Sequence, residues 1–483
     1  MGPRTVPVRR LVPLLRPALD ASPAYRGLAD AVRLLVADGR VPVGSRLPSE
    51  RELSAALDVS RTTVTRAYAE LRDRGYLTSR QGSGSVTALP GDLPDTRQGT
   101  ALHPHDEQTA GDLIDLTCAS MSAPPGTVAA YEAAVAELPR YLAGTGYHPL
   151  GLARLREAIA ERYTERGLAT TADQVIVTSG ALSGLALACR ALLAPGDRVV
   201  LENPTYPNAV EAVRRAGARP VAHPLEPGGW DAPALDATLR QTAPRAAYLI
   251  PDFHNPTGAL MDDADRAAVG AALSGTHTVA IVDETLSELA HDPDLPMPRP
   301  LAAHHGRTVS LGSASKSFWG GLRIGWVRAP RDLVAPLLSA RLTLDLGAPV
   351  LEQLVLVHLL AHREEVLAHR RDAVVRSRDA LVAGLRDRLP QWRFRVPDGG
   401  LCLWVELPEA LSTPLCVAAD RRGLVLAPGS QFGVDGGLDR YLRLPFTGHA
   451  PEVVADAVDR LAAAWDEATS GRVGGTRRPP LVA

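Results

Sequence analysis

SLGSASKSFWGGLRIGWV, residues 310–327, contains Lys316, the sole lysine in a chain of 483 residues whose 52 Lys and Arg side chains are otherwise all arginine. At a solvated position either side chain stays protonated at pH 7, so a general preference for arginine leaves charge unchanged. A primary amine does what a guanidinium does not: it gives up its proton at accessible cost and condenses with an aldehyde to form a Schiff base. The stretch reads as an apolar strand followed by a turn that carries Ser313, Ser315 and Lys316, with Arg323 seven residues further on. Two hydroxyls and a guanidinium are donors suited to a phosphate beside that amine.

A phosphorylated aldehyde held this way is pyridoxal 5'-phosphate (PLP), and the rest of the chain offers the other parts it needs. Asp283, at the end of the apolar run in AIVDETLSEL, is placed to keep the ring nitrogen protonated. VTSGALSGLALACRALL reads as strand, glycine turn and helix start, so amides near Gly180, Ala181 and Leu182 can meet the phosphate. Asn255 in HNPTG is a donor for the ring oxygen, and Tyr206 in ENPTYPN is an aromatic cover for the ring face. Arg443 in RYLRLPF is a partner for a substrate or effector carboxylate. Singly each motif is a common structural feature, a turn or a helix cap; in this order around one lysine they form a constellation.

Working outward, apolar strands such as QVIVTSG, DRVVLE, AAYLIPDF and TVAIVDE alternate with alanine- and leucine-rich helical stretches from residue 112 to 470. That alternation predicts an α/β fold with a mainly parallel sheet covered by helices on both faces. Upstream, residues 22–88 carry helical patterning of a different kind, within a module expected to span residues 14–88. SERELSAAL opens with a Ser-x-x-Glu capping box, Ser49 and Glu52. A second helix begins after Ser60, with Val64, Ala67, Tyr68 and Leu71 facing inward and Arg61, Thr62, Thr63 and Arg66 left outside. A helix whose first turn carries arginine and hydroxyls, following another helix after a short turn, suits a major groove. YLTSRQGSGSVTA reads as a hairpin with Gly82 and Gly84 at its tip, a wing able to approach phosphates. A helical docking module with merely solvated arginines is the plainer alternative.

The charge divides the same way. Residues 1–86 hold 14 Arg against 8 acidic side chains, while the whole chain carries −2, so a basic module precedes an acidic body. Residues 89–111 read as a polar, proline-bearing linker and residues 471–483 as a disordered tail. Four scattered cysteines with no Cys-x-x-Cys pair indicate neither a zinc site nor a disulfide framework, so no metal is expected. No apolar run approaches the roughly 18 residues that span a bilayer, and a cytoplasmic location is expected.

The amino-terminal segment, through its LPSERELS and SRTTV stretches, resembles the winged helix-turn-helix of GntR-type bacterial transcription regulators. From YHPLGLARLREAI through GLVLAPGSQFG to YLRLPF, the body resembles fold-type I PLP-dependent aminotransferases. The combination resembles the MocR/GabR subfamily over nearly the whole chain. The resemblance implies a large cofactor domain plus a smaller α+β domain, and DNA contacts by Arg51, Arg61, Thr62, Thr63 and, in the wing, Gly82. It further implies a homodimer in which one subunit's DNA-binding module lies over the other's body. One departure bears on activity: such folds usually carry a tyrosine two or three residues after the ring-nitrogen aspartate, and here Thr285 and Leu286 stand there. The glutamine usual near SGALSG is missing too. The expected function is a DNA-binding regulator that senses PLP or an amino compound; the alternative is a working aminotransferase with a DNA-binding appendage.

Overall fold

The computed structural model describes residues 5–20, 23–37, 41, 44–80, 84–88, 113–226 and 228–470. The expected linker, the expected tail and Gly82 lie outside the described residues.

The amino-terminal module packs four helices, α1 (Val8–Leu15), α2 (Ala24–Ala37), α3 (Glu50–Leu57) and α4 (Arg61–Asp73), with a hairpin of β1 (Leu77–Arg80) and β2 (Gly84–Thr87). The capping box at α3 is formed in both directions: Glu52 N donates to Ser49 Oγ at 3.2 Å and Ser49 N to Glu52 Oε2 at 2.9 Å. The bond from Ser49 N, with a second from the Ser49 hydroxyl to Glu52 Oε2 at 2.8 Å, holds the Glu52 carboxyl below its ordinary value, and the two backbone bonds satisfy amides that the helix start leaves open. Asp58 ends α3 in the left-handed region (φ 59°), one of the few non-glycine residues that tolerates it, and so turns the chain into α4. Ser60 then caps α4 by accepting from Thr63 N at 3.1 Å. Val64, Ala67, Tyr68 and Leu71 are all buried, and the Tyr68 hydroxyl donates to Pro48 O at 2.9 Å. Unforeseen from the proline-interrupted start, α1 belongs to this core: Val6, Leu11 and Leu15 are buried within it. Its packing carries the module upstream of residue 14, where its boundary was expected.

In the body, seven strands stand in the order β4 (Val175–Thr178), β10 (Gly325–Arg328), β9 (Thr308–Ser313), β8 (Val279–Asp283), β7 (Ala246–Leu249), β5 (Arg198–Asn203), β6 (Arg219–Pro224). All neighbours are parallel except β10, which runs antiparallel to both β4 and β9. Such strands are covered on both faces and therefore read as continuous apolar runs; every residue of β8 is buried. Val279 and Ile281 of β8 face one apolar layer, together with helix α7 (Ala181–Leu192), while Ala280 and Val282 face the other. On that second face also lie α5 (Thr127–Glu137) and α6 (Ala153–Glu165).

A smaller unit follows, with strand order β11 (Arg393–Phe394), β12 (Cys402–Glu406), β14 (Tyr441–Pro445), β13 (Leu424–Pro428), β3 (Ile114–Leu116). Its core includes an edge-to-face pair, Trp392 and Trp465, with centroids 5.4 Å apart. Strand β3 lies parallel to β13, with Ile114 opposite Leu424. The first described strand of the body thus belongs to the smaller sheet, and the chain then crosses to the seven-stranded one.

Candidate functional site

In an open parallel sheet, ligands bind outside the carboxyl ends of the strands. There a cavity of about 1830 Å³ is lined by Lys316, Asp283, Asn255, Tyr206, Ala181, Leu182, Ser313, Ser315, Arg323 and Arg443. This exceeds the roughly 300–1,000 Å³ of a small-molecule pocket, because the space continues outward past Arg190 and Leu344. The inner end holds the expected constellation.

Lys316 follows β9 in a single π-helical turn, Ser315–Trp319. Such turns are rare and concentrate at functional sites. Its Nζ donates to Ala119 O at 2.7 Å. Burial pushes the ammonium below the ordinary lysine value, and the charge of Arg443 acts the same way against opposition from Cys118, Asp283 and Cys402. Ahead of it, Ser315 N and Ser315 Oγ both approach Ser313 Oγ, at 3.1 and 3.0 Å, so the two hydroxyls are held together on the strand end.

Asp283 ends β8 with both carboxylate oxygens engaged: Oδ2 accepts from the Tyr248 hydroxyl at 2.7 Å and Oδ1 from Thr285 N at 3.0 Å. Tyr248 is fully buried on β7 opposite Ile281. The sequence reading missed it; the available signal was a lone phenol inside the apolar strand AAYLI. Thr285 and Leu286 line the cavity where a second phenol would be expected.

The glycine turn before α7 is built for close approach. Gly180 has φ +95°, and a Cβ there would lie 2.7 Å from Arg323 Nη2; one on Gly325 would lie 2.5 Å from Gly180 C. Arg323, itself left-handed at φ 50°, donates to Ser179 O at 3.1 Å, which sets its guanidinium beside the turn. No side chain caps α7, so its first amides and the positive end of its dipole face an anion position shared with Arg323.

Tyr206 begins the helix Pro207–Arg215 and its hydroxyl accepts from Asn208 Nδ2 at 2.8 Å. Arg443, on β14, is 1% exposed. Its Nη1 donates to Asn255 Oδ1 at 3.3 Å, its Nη2 to Thr117 O, and its guanidinium lies over Phe432 at 4.9 Å. Nε has no partner, and among the described residues Arg443 forms no ion pair. A buried guanidinium without a counter-ion is a strong attractor for a carboxylate. The residues therefore fit PLP: an amine, a ring-nitrogen carboxylate, an anion cradle and an aromatic on one cavity wall.

In the amino-terminal module, Arg51, Arg61 and Thr62 are exposed in the first turns of α3 and α4. Thr63 is half-buried and its hydroxyl meets Ser60 Oγ at 2.8 Å, so it takes part in the cap of α4. Arg66 lies over the Tyr25 ring at 5.4 Å.

Comparison with known proteins agrees with this division. Residues 24–86 match the family of bacterial regulatory proteins, gntR family, and residues 129–461 match aminotransferase class I and II. The uncharacterized HTH-type transcriptional regulator YdcR of Escherichia coli is 30% identical over 442 residues, 87% of this chain and 94% of the relative. The probable rhizopine catabolism regulatory protein MocR of Rhizobium meliloti is 30% identical over 332 residues, 64% of this chain and 66% of its own. Among solved structures, LysN, an α-aminoadipate aminotransferase of Thermus thermophilus, superposes with a TM-score of 0.68 at 30% identity, covering 74% of this chain and 94% of LysN. With a GntR helix-turn-helix at one end and an aminotransferase class I and II body at the other, the chain belongs to the MocR-type branch of the GntR transcription regulators.

Proposed function

We propose that this regulator binds PLP through Lys316 and that covalent occupancy of the cavity, by PLP itself or by an amino compound exchanging with Lys316, changes its hold on operator DNA. The observation that carries the reading is the sole lysine, its amine in the cavity beside Asp283 and the α7 cradle. The cofactor, when bound, supplies an aldehyde for amine exchange and an electron-accepting ring. Lys316 provides the exchangeable amine, Asp283 keeps the ring nitrogen protonated, and Arg323 with Ser313, Ser315 and the amides at Gly180, Ala181 and Leu182 binds the phosphate. Asn255 faces the ring oxygen, Tyr206 covers the ring, and Arg443 receives an effector carboxylate. An effector that brings its carboxylate to Arg443 draws on Asn255 and Thr117, so exchange at Lys316 alters contacts on β14. That is the differential contact a two-state response requires.

In the other half, Arg51, Arg61 and Thr62 contact DNA, with Thr63 supporting the helix start and Gly82 in the wing. Residues 14–88, with α1, form the DNA module and residues 112–470 the sensing body. A homodimer with exchanged modules in the cytoplasm completes the assignment; among the described residues no helix is long and apolar enough to cross a membrane.

The test is borohydride reduction of the PLP-loaded chain, which is expected to fix the cofactor on one peptide, that of Lys316. The attachment rate is expected to rise with pH and level off below 10.5, the ordinary lysine value. The sign follows from burial: the unfolded chain binds this proton more tightly, so the folded amine is neutral over a wider pH range. For the same reason Lys316's contribution to stability grows as pH rises toward 10.5. A plateau at or above 10.5 contradicts the placement of the amine.

A second reading, a working aminotransferase, is favoured by the likeness to LysN. Thr285 and Leu286 weigh against it, because neither offers a phenol's acidity and reach. Multiple turnover with an amino acid and a 2-oxo acid is expected to stay below roughly 1 per second, the low end of typical enzyme rates; faster turnover favours the enzyme.

A further inference from the structure

The hairpin of the amino-terminal module is extended on the side of β2. Arg46 pairs antiparallel with Val86 of β2 and, on its other side, parallel with Thr5. Backbone bonds fix it between them: Val6 N donates to Arg46 O at 2.9 Å, Leu47 N to Ser85 O at 3.0 Å, Thr87 N to Ser45 O at 2.9 Å and Gly44 N to Thr87 O at 2.8 Å. Thr5 and Val6 precede residues 24–86, the part that matches the gntR family, so the outermost pairing is an addition to the matched module.

Successive residues of an extended segment alternate between faces, and partners across a sheet share one. Ser45, Leu47 and Thr87 are buried, so Arg46, Val86 and, opposite Val86 on β1, the exposed Thr78 form the outer face. The Arg46 side chain runs along β2 toward its start: a Cβ on Gly84 would lie 3.5 Å from Nε and 3.8 Å from Cδ. Nε is buried without a partner, although the residue as a whole is half-buried. The stem is therefore fixed, and the outer guanidinium nitrogens reach solvent. Among the described residues no acid pairs with them. The acids nearest in sequence are engaged elsewhere, Glu50 Oε2 accepting from Thr65 Oγ1 at 2.7 Å and Glu52 Oε2 from Ser49 N at 2.9 Å.

A fixed guanidinium with no counter-ion, on the outer face of a wing, is placed for a DNA phosphate. We propose that Arg46 is a phosphate contact beside the start of β2, a residue that supplies affinity where Arg61 supplies sequence choice. The proposal rests on the module binding DNA and is independent of cofactor binding in the body. Because the pairing with Thr5 and Val86 holds the side chain's base in place before DNA arrives, little freedom is lost on contact. A phosphate contact acts through charge, so the position tolerates lysine, whereas a bidentate base contact does not.

The test is fluorescence anisotropy of the full-length chain with two labelled duplexes, one from the chain's own upstream region and one of the same base composition in scrambled order, between about 50 and 200 mM salt. Arg46→Met keeps the apolar stem over Gly84 and removes the charge. It is expected to lower affinity for both duplexes by the same factor, roughly tenfold for each module in contact at about 0.1 M salt, and to reduce the slope of log affinity against log salt by about 1. Arg46→Lys is expected to stay within about threefold of the unsubstituted chain with the slope unchanged. Affinity and slope in Arg46→Met equal to those of the unsubstituted chain overturn the proposal. A loss confined to the upstream duplex does the same by making Arg46 a base contact, and so does equal weakening by Arg46→Lys, which makes the effect one of shape. An unsubstituted chain that binds neither duplex overturns the DNA-binding reading as well; the other failures, seen beside a chain that binds, overturn this proposal alone.

Discussion

Lys316→Ala is expected to abolish covalent attachment of PLP while leaving the fold in place. No other side chain can substitute, because every remaining strong cation is arginine, which stays protonated and does not condense with the aldehyde. The anion cradle survives the change: Gly180, Arg323 and the start of α7 do not depend on the amine. Residual, non-covalent PLP binding should therefore persist with affinity lower by on the order of 100-fold, about 2.8 kcal/mol. The visible absorbance of the bound cofactor and its retention after borohydride and dialysis check this. Retained covalent label in Lys316→Ala would place the reactive amine elsewhere.

The second large effect is expected in the other half of the chain. Arg61→Ala removes an exposed guanidinium from the first turn of α4 without touching the core formed by Val64, Ala67, Tyr68 and Leu71 or the Ser60 cap. A side chain reading a base edge carries roughly 1–3 kcal/mol of discrimination, so operator affinity is expected to fall by about 10- to 100-fold and sequence preference to relax. PLP uptake should not change. A uniform loss across all sequences with a shallower salt dependence would instead make Arg61 a phosphate contact.

The parts of this molecule governed by local rules were legible in its sequence. Ser49 and Glu52 announce the start of α3, and the all-apolar VAIVD predicts a strand covered on both faces, which β8 is. The uniqueness of Lys316 and the order of the surrounding motifs pointed to one cavity, and apart from Gly180, which sits at the turn just before α7, those residues do line it. Contacts between distant segments were not legible. Nothing in DLIDL shows that Ile114–Leu116 pairs with a strand some 300 residues later. The prolines around α1 obscured a helix held by Leu11 and Leu15, whose burial is decided by α2 and α3 rather than by its own propensity. Tyr248 read as core because a phenol in an apolar strand usually is, and only the adjacency of β7 and β8 brings its hydroxyl to Asp283. Thr63 looked like a groove-facing hydroxyl, yet its geometry at the helix start ties it to Ser60.

The central claim is that chemistry at Lys316 is transmitted to DNA binding, and it is tested most directly by titrating the full-length apoprotein with PLP while operator affinity and cofactor absorbance are followed in the same samples. The account predicts that affinity changes in step with covalent attachment, or does so once an exchanging amine is added to the loaded protein. It also predicts that neither change occurs in Lys316→Ala. Operator affinity that stays constant through PLP saturation and through amine exchange would contradict it, leaving the cavity and the helix-turn-helix as two uncoupled sites on one chain.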